Sequence, residues 1–155
     1  YSDMTNLGFA PGVVPYNVNM PLWSDGADKQ RGMSLPPGST IGYTDDGPWQ
    51  FPVGTVLIKT FSLASRPIET RLLLRGSDIW RGITYRWNTD ATDADLLTNE
   101  ISENIAGQPW YFPSRTDCTL CHTSGAGQVL GLAAALSTAG VVRSSHKLES
   151  SVERS

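Results

Sequence analysis

Cys118 and Cys121 are the only two cysteines in a chain of 155 residues, and they stand close to its C-terminal end as Cys118-Thr119-Leu120-Cys121-His122. That spacing constrains everything around it. Two thiols three residues apart can each add to one vinyl group of haem, and an imidazole directly after them can reach the iron. On a helical turn Cys118 and His122 share a face, with Cys121 beside both. The motif predicts one covalently attached haem c, with Cys118 and Cys121 as the thioether sulfurs and His122 as the proximal iron ligand.

Other readings of the same five residues compete. A structural zinc site needs four ligands, and His146 is the only further histidine. A thioredoxin-type dithiol sits between a strand and a helix early in a βαβ unit, a pattern that is missing upstream. A disulfide between Cys118 and Cys121 closes a very small loop and stabilises little.

The position of the motif excludes one fold. In small all-helical cytochromes c the attachment motif lies near the N-terminus, and a later methionine supplies the second axial ligand. Here the three methionines, Met4, Met20 and Met33, all precede the motif. The expected fold is mainly β with a few short helices (α+β): an antiparallel sheet with a C-terminal haem-bearing helix.

Local patterns agree. In residues 1–50, Pro11, Pro15, Pro21, Pro36, Pro37 and Pro48 leave no room for a long helix, so an extended, looping segment with short strands is expected. Within it Trp23 reads as a core anchor. Residues 51–61, 67–75 and 79–88 are rich in β-branched, aromatic and leucine residues and predict a three-stranded antiparallel meander, only partly buried on one side. Residues 89–108 suggest a short helix or an edge strand. Thr116 or Asp117 could cap a helix carrying the cysteines, with Gly125 and Gly127 ending it. Residues 128–138 read as a second helix with Val129, Leu132, Ala133 and Leu136 on one face. The whole divides into one haem domain over residues 1–142 and a polar, serine-rich tail or linker over 143–155.

Charge and hydropathy narrow the partners. A formal net charge of −3 argues against nucleic acid, whose binders carry basic patches. No apolar run approaches the ~18 residues of a membrane span. The chain starts at Tyr1, which reads as a mature form or an excised domain. Covalent haem attachment takes place outside the bacterial cytoplasm, so a periplasmic or secreted location is expected, with a redox partner protein.

Two resemblances sharpen these expectations. The blocks PLWSDGADKQR (21–31), LPPG (35–38), FPVGTVLIKTF (51–61), IETRLLL (68–74), YRWNTDATDA (85–94) and CTLCH (118–122) resemble a family of exported bacterial haem proteins often joined to, or found beside, quinoprotein-type sugar dehydrogenase domains. That resemblance implies an exported redox role. More distantly, the order of FPxGT, an apolar strand, a lysine and a late C-x-x-C-H is similar to the β-sheet c-type cytochromes, the cross-linked-haem hydroxylamine-oxidising and c-prime-beta types. There haem rests against an antiparallel sheet and the distal side of the iron can be open. The likeness implies that Lys59 faces haem in a covalent or hydrogen-bonding role. The competing reading is a cross-strand pair of Lys59 with Glu69.

Function turns on the sixth iron ligand. Two strong ligands favour electron transfer, whereas an empty site lets small molecules bind. Candidates are Met33 and Met20, which flank the SDGADKQR block, together with Lys59, His146 and Met4. Trp110, Tyr111, Phe112 and Leu120 are candidate packing partners of the porphyrin. Arg115 is a candidate partner of a propionate, or simply a surface arginine. The leading reading is a monohaem electron carrier serving an exported oxidoreductase or its acceptor. A five-coordinate haem enzyme or gas-binding protein is the second. A zinc- or disulfide-containing carbohydrate-binding module using the five tryptophans is the third.

Overall fold

A computed structural model describes residues 8–18, 21–43, 48–123, 129 and 152–154. The fold is mainly β, and one short helix among the described residues carries both cysteines. In chain order the strands are β1 (Val13–Pro15), β2 (Asp28–Ser34), β3 (Ile41–Tyr43), β4 (Val56–Leu63), β5 (Arg66–Arg75), β6 (Trp80–Trp87), β7 (Ala94–Leu97), β8 (Ile101–Ile105) and β9 (Gln108–Phe112). Helix α1 (Arg115–Cys121) follows, and β10 (Val152–Arg154) pairs in parallel with β3. The main sheet has six strands in the order β1-β2-β4-β5-β6-β7, antiparallel throughout, while β8 and β9 form a separate hairpin.

The expected meander is present as β4-β5-β6, with sharper boundaries than the pattern implied. Strand β4 begins at Val56 rather than Phe51, because Pro52 and Gly54 build a turn in which the Thr55 N–H donates to the Pro52 carbonyl. The β4-β5 hairpin turns on Ala64 and Ser65, both at positive φ, as a two-residue connection of this twist demands. Residues 89–108 hold strands rather than a helix: β7 at the sheet edge, then β8.

Two corrections concern single residues. Trp23 is 81% exposed, because the turn from Ser24 to Ala27 buries Ala27 instead and leaves the indole outside. The cap of α1 is Ser114, not Thr116 or Asp117. Its hydroxyl accepts from the Asp117 N–H, and the Asp117 carboxylate accepts from the Ser114 N–H, a reciprocal capping box.

Two apolar cores form. The first gathers Tyr16, Met33, Ile41, Phe51, Leu57, Trp80 and Val129; the second gathers Ala27, Phe61, Ile68, Trp110 and Phe112. Val129 is the one described residue of the expected second helix. The rest of residues 128–138, with Gly125, Gly127, Met4, Met20 and His146, lies outside the described residues. Three residues of the segment read as a tail supply β10.

Candidate functional site

Side chains alternate along a strand, so one face of the sheet takes alternate residues of β2, β4, β5 and β6. Register lines them up in rows. Met33, Leu57, Leu73 and Gly82 stand opposite one another; the next row is Arg31, Lys59, Arg71 and Thr84; the third is Lys29, Phe61, Glu69 and Arg86. The first row merges with the first core and the third with the second core. Between them the middle row sets three cations side by side on adjacent strands.

Helix α1 lies over β6, and the closeness of that approach depends on Gly82. A Cβ at this position would overlap the Cys118 side chain. None of the seven helical residues is fully buried, so the capping box and the Gly82 contact do much of the anchoring. The Tyr111 hydroxyl adds a 2.6 Å hydrogen bond to Asp117. The Cys118 thiol faces the Ser114 carbonyl at 3.4 Å, and the helix closes where the His122 N–H reaches the Cys118 carbonyl at 3.0 Å.

Helix and sheet flank a half-open cavity of about 420 Å³, within the range of cofactor sites. Pro113, Asp117, Cys118, Cys121 and His122 line one wall. Arg31, Leu57, Lys59, Arg71, Leu73 and Gly82 form the floor, with Ile58 and Leu72 of the same strands, and Tyr16, Val18, Leu22 and Val129 complete the lining. The surround is mostly apolar, with the charge concentrated in the cationic row.

Electrostatics follow from that arrangement. Burial, then the neighbouring Arg31, Arg71 and Lys29, pull the Lys59 ammonium down to about 8. Lys59 and Arg71 both lie over the Phe61 ring, at 4.7 and 4.6 Å from its centroid. The buried Glu69 carboxylate is engaged by Arg71 and by the Trp110 N–H at 3.0 Å, so the expected Lys59–Glu69 cross-strand pair is replaced by Arg71–Glu69. Lys59 in fact faces Arg71 and Arg31 across the sheet, and Glu69 faces Phe61. Burial pushes the Tyr16 hydroxyl up to about 12 and raises the Cys118 thiol. A raised thiol is the reverse of what a dithiol redox centre needs.

Of the residues singled out from sequence, Cys118, Cys121, His122 and Lys59 share the cavity. Trp110 and Phe112 are sealed in the second core, and Tyr111 is half exposed and turned to Asp117. Alternation along β9 explains the split: its inward residues cover the second core and cannot also reach the cavity. Arg115 and Leu120 are exposed on α1 and do not line the cavity. Met33 is 4% exposed in the first core and is not a cavity residue. Arg31, Arg71, Tyr16 and Gly82 were not singled out. Their signal is strand register, which a single sequence does not print.

Among the described residues no three of His, Cys, Asp and Glu gather as a metal-ligand set, and Cys118 and Cys121 are not bonded to each other. Of the five tryptophans Trp23 is exposed, Trp49 and Trp87 are half-buried, and Trp80 and Trp110 are buried. No helix among the described residues is long and apolar enough to cross a membrane. No protein-family model, no curated protein and no solved structure matches the chain.

Proposed function

We propose that this chain is a monohaem c-type domain that transfers electrons, outside the bacterial cytoplasm, between an exported oxidoreductase and its acceptor. One observation carries the reading: Cys118, Cys121 and His122 all line a single, largely apolar cavity with cationic residues at its floor. Cys118 and Cys121 would hold the porphyrin and His122 the iron. Haem c, when bound, supplies one-electron chemistry at iron. The protein's own contribution is to exclude water with Leu57, Leu73, Val18 and Val129 and to fix the orientation of His122 at the end of α1.

A second reading has its own support. Besides His122, the donors that line the cavity among the described residues are those of Tyr16, Lys59, Arg31, Arg71, Asp117 and the two thiols, with no methionine among them. That lining suits a haem enzyme or gas-binding protein whose distal side is open, with Lys59 as a proton donor there.

The test is intact mass and absorption of full chain matured with the bacterial haem-attachment machinery. The electron-carrier reading expects one added haem and a low-spin spectrum in both oxidation states, indifferent to CO. High-spin iron that takes up CO would favour the second reading. Bare polypeptide without a Soret band would overturn both.

A further inference from the structure

The C-x-x-C-H motif puts a proximal ligand, His122, at the end of α1, so a ligand on the opposite side of the iron has to come from another element. Outside α1 and its cap, the described side chains that line the cavity are hydrocarbon except for Tyr16, Arg31, Lys59 and Arg71. Both guanidinium groups stay protonated and offer no lone pair to a metal. Tyr16 would have to give up a phenolic proton that burial holds up to about 12. Lys59 on β4 is the donor that remains. Nor is its amine taken elsewhere: Glu69 is engaged by Arg71 and Trp110, and Asp117 by Tyr111 and Ser114. Among the described residues the Lys59 nitrogen has no hydrogen-bond or ion-pair acceptor and meets only the face of the Phe61 ring, at 4.7 Å. A half-buried lysine on a mostly apolar cavity without a counter-ion costs stability, and a coordinate bond to a metal would remove that cost.

We infer that Lys59 is the second axial ligand of the haem iron, so that the centre is six-coordinate with one nitrogen from His122 and one from Lys59. The inference rests on the haem reading above and decides between its two forms, because a filled sixth position favours electron transfer over the binding of small molecules. On coordination the ammonium releases one proton to solvent and the Nζ lone pair forms the bond to iron; no electron changes hands. Lys59 lies outside the Arg71–Glu69 ion pair, so its replacement strands no buried carboxylate.

The test uses full chain matured with the bacterial haem-attachment machinery, weighed first. Absence of the added haem mass overturns this assignment together with the reading it rests on. With haem attached, wild type is expected to be low-spin and indifferent to CO, and proton NMR of the reduced protein to show the Lys59 methylene signals moved far upfield by the porphyrin ring current. Lys59→Ala and Lys59→Arg are expected to keep the haem mass, lose those signals and become high-spin and CO-binding. The arginine separates ligation from charge, since it keeps the cation and lacks the lone pair. Wild type that is high-spin and takes up CO, wild type without the upfield lysine signals, or a Lys59→Ala spectrum identical to wild type overturns the ligand assignment and leaves haem attachment standing.

Discussion

Gly82 is where the backbone of the sheet and the cysteine-bearing helix come closest, and the missing side chain is what permits it. Gly82→Val should force α1 off β6, costing about 1–3 kcal/mol by overpacking. Urea unfolding measures that cost, and faster labelling of the Cys118 thiol reports the displaced helix. Lys59 makes the opposite prediction. Its folded-state pKa of about 8 lies below the ordinary 10.5, so the folded chain holds fewer protons between those values and wild-type stability rises with pH across that window. Below about pH 8 the full penalty of a buried ammonium remains. In haem-free chain, Lys59→Met should therefore gain about 1–2 kcal/mol at pH 7, after allowance for partial solvent screening. The gain should fade toward pH 10.5, as read from urea midpoints across pH.

Helix α1 is too short to persist by propensity, so its cap and its contacts decide whether it forms. Ser114→Ala should remove about 1 kcal/mol of stability, seen in the urea midpoint. The Asp117 carboxyl is held below its usual range by the Tyr111 hydroxyl and then by the N–H and hydroxyl of Ser114. That contribution is fully present above the ordinary value of 3.8 and disappears as pH falls through the depressed folded value. Wild type and Asp117→Asn should accordingly differ at pH 7 and converge in acid. In β5 the buried Glu69 ties the cationic row to the second core. Glu69→Ala strands Arg71 and the Trp110 N–H and should cost about 2–4 kcal/mol by chemical denaturation. Glu69→Gln keeps an acceptor for Trp110 and should cost less.

At the scale of the whole molecule, two cores share one sheet face with a half-open, mostly apolar cavity of about 420 Å³ nearby, whose apolar lining an apolar occupant would remove from water. Filling it with a tethered apolar group should raise the melting temperature relative to a Cys118→Ala/Cys121→Ala chain. Equal melting temperatures would mean that the attached group lies elsewhere.

The amino-acid order by itself determined the β-rich class, the β4-β5-β6 meander and the grouping of Cys118, Cys121 and His122, because strand alternation, turn residues and motif spacing are local properties. It also carried Lys59 into the site, by resemblance. It misplaced Trp23, Trp110 and Phe112, since an aromatic residue advertises burial without saying in which core. Only tertiary structure decided that Arg31 and Arg71 flank Lys59 and that Gly82 receives Cys118. Those juxtapositions depend on register between strands distant in sequence, where a slip of one residue would turn each of these side chains to the opposite face.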